Sequence, residues 1–279
     1  MKPLAYIWQS GELGEALSLH DRGLNFGDGC FTTIRLVRSG SAGWQCALWP
    51  YHQARLKHTC ARLGFSLPLD LEFAVEHVLR QAAIPADLNA AVLRITVTRG
   101  QGGSGYSPVE NCTPTLIFKI SEWPEHYKIW QQQGITMHVA KFRLGIQPAF
   151  AGLKTLNRLE QVAIKRELAA TDCDDLLVQD TQGYLVEASA GNLFWQRNGT
   201  WYTPSVSHAG IDGVVRQWLI RHNPNIQVVR EPVSVLDEAQ ELFVCNALMG
   251  LVPVRAIDSR QLPRFRSYGA CVETGELPL

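Results

Sequence analysis

The sequence predicts an α+β fold in two domains, and three observations lead there. Segments with strand character are short and mix with few helices, instead of alternating strand and helix along the chain. No Gly-x-Gly-x-x-Gly opens a helix behind a strand, which speaks against the dinucleotide turn of a doubly wound sheet. Regular patterning lapses around residues 123–127. That lapse divides the 279 residues into an N-terminal α/β domain, 1–124, and a C-terminal domain, 125–279, both of ordinary domain size.

Residues 31–37 (FTTIRLV) are rich in branched and aromatic side chains and predict a strand. A Ser-Gly-Ser-Ala-Gly turn at 39–43 leads to a second strand-like segment, 44–49. Residues 51–63 predict a helix between Pro50 and Gly64, and 71–83 a second one closed by Pro85. Strands follow at 91–98 and 116–120, and the second half opens with another at 135–141. Leu156, Leu159, Ala163 and Ile164 are spaced for one helical face, so a helix is expected right behind Lys154, running to about Ala170. Residues 175–179 and 184–188 flank a turn at Asp180–Gly183, and 193–196 and 200–203 flank Asn198-Gly199, giving two hairpins. A short helix at 214–222 and a strand at 241–245 complete the reading.

Composition removes several function classes. Hydrophobic residues make up 46% and charged ones 19%, which suits a packed soluble protein. Net charge is zero, so nothing draws the chain to nucleic acid or an anionic membrane. No apolar run approaches the ~20 residues of a membrane span. The N-terminus turns polar too quickly for a signal peptide, which makes a cytoplasmic location the expectation. Seven cysteines are scattered without a C-x-x-C pair, and the eight histidines do not cluster. A disulfide scaffold and a metal site are therefore not expected, and the cysteines read as mostly buried thiols.

Chemistry concentrates in a few places. Lys154 follows a glycine-containing apolar stretch at the expected helix entry, where the helix dipole disfavours an ammonium. A partly dry site would favour the neutral amine, which can form a Schiff base. Glu187 follows two apolar residues and precedes small ones; buried, it would need a cationic or protonated partner such as a pyridinium nitrogen. An edge-strand glutamate facing water is the plainer alternative. Gly210-Ile211-Asp212-Gly213 opens a helix and suits a phosphate, or an ordinary N-cap made by Asp212. Arg55 lies at the margin of a helix face marked by Leu56 and Leu63, as a phosphate ligand or a snorkelling surface residue. Arg99 roots a loop with four glycines in six residues, and could bind a carboxylate there or merely precede a flexible connection. Residues 21–33, with glycines among polar groups before a strand, suit an active-site rim or a plain turn.

Together the segments KTLNRLEQ from Lys154, FGDGCFTT from Phe26, RGQGGSGYS from Arg99 and CNAL from Cys245 resemble the fold-type IV pyridoxal-phosphate enzymes. That group holds the branched-chain and D-amino-acid aminotransferases, and within it the resemblance is to the 4-amino-4-deoxychorismate lyases. It runs from Asp21-Arg22 to Val252-Pro253-Val254. The resemblance implies a two-domain fold of mixed sheets with flanking helices. It implies pyridoxal 5'-phosphate held by Lys154, which also moves the proton, and Glu187 on the pyridine nitrogen. Arg55, the amides of Ile211 and Asp212, and the turn at Asn246 and Ala247 would bind the phosphate. Phe26, Thr33 and Arg99 would face the substrate, with Arg99 on a carboxylate. Asp212 stands where relatives often carry Asn or Thr, so its side chain is expected to turn towards the following helix and leave only its N–H for phosphate. The implied activity converts 4-amino-4-deoxychorismate to 4-aminobenzoate and pyruvate, for folate synthesis. An aminotransferase of D- or branched-chain amino acids is the rival, and an intact Lys154 and Glu187 argue against a non-catalytic homologue. A homodimer is implied as well, with Trp44, Trp49 and Trp123 as candidates for an interface.

Overall fold

The computed structural model describes residues 4–38 and 43–262; residues 39–42 of the expected turn, and Cys271, lie outside them. Two compact units are present. The first comprises residues up to Trp123 together with Lys154–Asn157, and the second comprises Pro124–Leu153 and residues from Arg158 onward. The lysine segment thus groups with the first unit, although it lies in the second half of the sequence.

Period-two patterning builds the first unit. Its strands are β1 (Leu4–Gln9), β2 (Glu12–Gly14), β3 (Gly29–Arg38), β4 (Trp44–Cys46), β5 (Ala90–Thr98) and β6 (Thr115–Glu122). They pair antiparallel in the order β2-β1-β6-β5-β3-β4. Cys30, Ile34 and Leu36 of β3 share a core with Leu93, Ile95 and Val97 of β5 and with Leu116, Phe118 and Ile120 of β6. These residues recur at every second position, which puts them on one face of the sheet. Helix α1 (Arg22–Phe26) is a single turn ahead of β3, and α2 (Trp49–Arg62) and α3 (Leu71–Gln81) cover the apolar face with Leu56, Cys60, Ala74, Val75 and Val78. Trp123 is buried within this unit beneath the Arg35 guanidinium, 4.7 Å from its ring centroid.

The second unit contains α4 (His126–Gln133), β7 (Ile135–Leu144), α5 (Leu159–Leu168), β8 (Asp175–Asp180), β9 (Leu185–Ala188), β10 (Asn192–Arg197) and β11 (Thr200–Pro204). Next come α6 (Val214–His222), β12 (Gln227–Val229), a 3-10 turn at Val233–Glu238, β13 (Glu241–Asn246), β14 (Gly250–Ile257) and β15 (Arg260–Gln261). The sheet order is β12-β11-β10-β13-β14-β7-β8-β9, with β15 also on β14. Strand β7 runs parallel to both of its neighbours, and β11 and β12 are parallel, so the sheet is mixed. Met137, Leu177, Leu193, Trp195, Val244 and Val252 are fully or almost fully buried in its core.

Helix α5 corrects the sequence reading. It begins at Leu159, not directly behind Lys154; Leu159 and Val162 are exposed, and of the four residues expected on one face only Ile164 is fully buried. The six described cysteines are free thiols, three of them buried. Burial pushes the Cys46 thiol up to about 12.

Leu93 is fully buried in β5, between β3 and β6. Leu93→Ala is expected to cost about 2–5 kcal/mol, measured as a lower urea midpoint at an unchanged slope.

Candidate functional site

In the first unit the lysine segment is fixed through its backbone. The Phe31 N–H donates to the Lys154 carbonyl at 3.1 Å and the Leu156 N–H to the Gly29 carbonyl at 3.0 Å. Thr155 bridges Cys30 between them. Lys154 therefore lies on a stretch laid along the start of β3, and the helix begins only at Leu159. Gly29 makes this approach possible: a Cβ there would stand 2.3 Å from the Val97 carbonyl oxygen and 3.0 Å from Leu156 Cδ1. Lys154 Nζ sits 4.6 Å from the centroid of the Phe31 ring, and the guanidinium carbon of Arg94 is 3.8 Å from the same centroid. Two basic side chains thus share one aromatic ring. Arg94 was not singled out from sequence, because a strand arginine at an alternating position reads as a solvated one.

Arg55 is buried rather than snorkelling. Its Nη2 donates to Thr32 Oγ1, which lies 2.6 Å from His52 Nδ1. Thr33 is half-buried and stands opposite Arg94 in the β3–β5 ladder. Phe26 is partly exposed, edge-on to Tyr106 with centroids 5.5 Å apart and 4.9 Å from the Arg22 guanidinium.

Asp28 organises the rim. Its Oδ2 accepts from Arg22 Nε at 2.9 Å and from Arg99 Nε at 2.7 Å. Arg99 also donates to the carbonyls of Gly64 and Leu63, and Arg22 to those of Gly105 and Tyr106. The glycine-rich loop is thereby tied down by Arg22. All three nitrogens of the Arg99 guanidinium are engaged, a geometry that favours a scaffolding place over the expected carboxylate contact. Burial raises the Asp28 carboxyl, but the hydrogen bonds and charges of Arg99 and Arg22 outweigh it and hold the group below its ordinary value.

In the second unit Glu187 is on the edge strand β9, yet it is buried. Its Oε2 accepts from the Ile211 N–H at 2.9 Å. Gly210, at φ +84°, lets the turn close over it; a Cβ there would meet Val186 Cγ1 at 2.5 Å. The Asp212 N–H donates to the Gly152 carbonyl at 3.0 Å. Both amides expected for phosphate are thus engaged by the protein itself. Asp212 is not the cap of α6, since that position is Gly213. Its carboxylate does turn towards the helix, accepting from Arg216 Nη1 at 2.7 Å. Asn192, not singled out from sequence, holds the turn: its Oδ1 accepts from the Gly213 N–H at 3.1 Å and its Nδ2 donates to the Ile211 carbonyl at 2.8 Å. The Asn246 side chain accepts from the N–H groups of Leu248 and Met249 and donates to the Ala190 carbonyl, which shapes the β13–β14 turn that contains Ala247.

A model of the amino-transferase class IV family matches residues 29–257. The chain belongs to that family. This class IV chain is 32% identical to the aminodeoxychorismate lyase of Vibrio harveyi over 260 residues, 91% of this chain and 92% of that protein. Among solved structures it is similar to 4-amino-4-deoxychorismate lyase from Pseudomonas aeruginosa, with a TM-score of 0.80 and 34% identity over 92% of this chain and 93% of the other. A hypothetical aminotransferase from Mycobacterium tuberculosis, solved in its PLP-bound form, shares the fold with a TM-score of 0.74 at 21% identity, covering 93% of this chain and 93% of the other.

In this class IV chain, Asp28→Asn is expected to cost roughly 2–4 kcal/mol at neutral pH, because it leaves two buried guanidinium groups without their counter-charge. The depressed folded-state value makes the contribution of Asp28 complete above 3.8, and it fades as pH falls through the lower value of the folded protein. Denaturant titrations of both proteins from pH 7 to pH 2 (about the range over which carboxylates titrate) should therefore show a gap that closes only at the acid end.

Proposed function

We propose that this chain is a pyridoxal-phosphate-dependent lyase that converts 4-amino-4-deoxychorismate to 4-aminobenzoate and pyruvate. The observation that supports it most is the pinned Lys154, in a chain 34% identical to a solved lyase over 92% of its length. The residues fit the cofactor. A buried arginine braced by a threonine suits a phosphate. A buried carboxylate, oriented by a backbone N–H, suits a protonated ring nitrogen. Pyridoxal phosphate, when bound, supplies an electron sink for a carbon that loses its proton.

Each residue then has a defined task. Lys154 anchors the cofactor, and its Nζ takes the proton from the amine-bearing carbon of the substrate. Glu187 keeps a proton at the pyridine nitrogen. Arg55 holds the phosphate, and the turns at Ile211-Asp212 and Asn246-Ala247 border it; the engaged amides of Ile211 and Asp212 would exchange partners to donate to it. Phe26 and Thr33 line the substrate. For a substrate carboxylate we propose Arg94 in place of Arg99, because Arg94 shares the Phe31 ring with Lys154. Expulsion of the enolpyruvyl oxygen leaves an aromatic ring, which drives the reaction. The resemblance also supports a homodimer and a cytoplasmic location. Trp123, buried within the first unit, is no longer a candidate for the interface.

The deciding assay measures 4-aminobenzoate release from 4-amino-4-deoxychorismate, with Lys154→Ala alongside. Product from the wild type and none from the variant is the expected result. A yellow, folded wild type that releases none would move the assignment to an aminotransferase. A second pair separates the two arginines. Arg94→Gln is expected to raise KM about tenfold or more, the effect of losing one charged contact. Arg99→Gln should instead lower the melting temperature and leave KM near that of the wild type.

A further inference from the structure

The face of β3 covered by α2 carries a polar chain in an otherwise apolar core. Cys30, Ile34 and Leu36 on that face are fully buried, and so are Thr32 and His52. Thr32 Oγ1 has two partners among the described residues, Arg55 Nη2 and His52 Nδ1. The guanidinium can only donate. The hydroxyl therefore accepts from Arg55, and its own hydrogen is available for His52 Nδ1. That arrangement needs a neutral imidazole, and burial, then the charges of Arg55 and Lys154, hold His52 well below its ordinary 6.5. His52 Nε2 is buried and has no hydrogen-bond partner among the described residues. An apolar side chain of similar volume would fill this place without that loss, so packing does not account for an imidazole here. What the imidazole supplies is an acceptor for the Thr32 hydroxyl.

We propose that His52 and Thr32 are positioning residues for Arg55, fixing its guanidinium in the orientation that receives the cofactor phosphate. The chain runs from His52 Nδ1 through the Thr32 hydroxyl to Arg55 Nη2. It gives the guanidinium a fixed acceptor at one nitrogen and so narrows the orientations open to it. The proposal rests on the reading of Arg55 as the phosphate ligand.

The test titrates apo-protein separately with pyridoxal phosphate and with pyridoxal, following tryptophan fluorescence, and records the melting temperature of each variant. Thr32→Val removes the hydroxyl at nearly constant shape, Thr32→Ser keeps it, His52→Leu removes the acceptor, and Arg55→Gln removes the guanidinium. Thr32→Val and His52→Leu are expected to lose roughly ten- to hundredfold in affinity for pyridoxal phosphate, the range for one charge-assisted hydrogen bond. Neither should lose affinity for pyridoxal, and Thr32→Ser should remain near the wild type for both ligands. Equal losses for the two ligands would show a merely structural role and overturn the proposal. So would unchanged phosphate affinity in Thr32→Val while Arg55→Gln loses it. If Arg55→Gln itself leaves the preference for the phosphorylated ligand intact, the reading of Arg55 falls, and the proposal with it. Should His52→Leu fail to fold, the Thr32→Val and Thr32→Ser pair still decides.

Discussion

Two backbone hydrogen bonds carry more of the first unit's chemistry than any side chain does. The bonds from Phe31 to Lys154 and from Leu156 to Gly29 lay the lysine segment against β3 in a single register. Alternation along β3 does the rest. Phe31 points to the face where its ring meets Lys154 and Arg94, and Thr32 points to the opposite face, where it meets Arg55 and His52. A slip of one residue would exchange the two faces and present the lysine with the wrong set of side chains. Small size at Gly29 is the condition for that register.

Charge is handled differently in the two units. In the first, Asp28 gathers two arginines, and the cluster fastens α1, the root of the glycine-rich loop and the end of α2. In the second, Glu187 has a backbone N–H on one oxygen, and Asp212 is paired with Arg216 four residues further along the helix. The Asp212 pair sets the Arg216 guanidinium against the carboxylate. One arrangement makes a rigid rim, and the other keeps a turn close to electrically neutral.

Where one physical signal dominated, the sequence was legible. The alternation of β3 and β5, the Asn198-Gly199 hairpin and the helix at Val214–His222 all appear where their patterns put them. Helix α5 was misplaced because Leu156 and Leu159 mimic a helical face, although Leu156 bonds to β3 and Leu159 faces solvent. Strand β14 went unread because Pro253 interrupts it; the β7 ladder begins only at Val254, so the missing N–H breaks no pairing with β7. Helix α4 went unread because it buries no residue fully. Among candidate site residues, Lys154 stood out by local composition, whereas Glu187 read more plainly as an edge-strand glutamate facing water, and the structure buries it. Thr32, His52, Asn192 and Arg94 did not stand out, since their significance lies in partners distant along the chain.

The stage of synthesis at which each sheet can close follows from the two sheet topologies. All six strands of the first sheet are present once Glu122 has been synthesised. The second sheet has β14 between β13 and β7, and among the described strands only β15 follows β14. Until it emerges, Ile135–Met137 of β7 lack the partner they pair with in β14, an open edge of the kind on which nascent chains pair with one another. A chain truncated before Gly250 would keep its first sheet and expose that edge permanently. Closure of the second sheet therefore waits on Gly250–Ile257, well after the strands of the first sheet are complete.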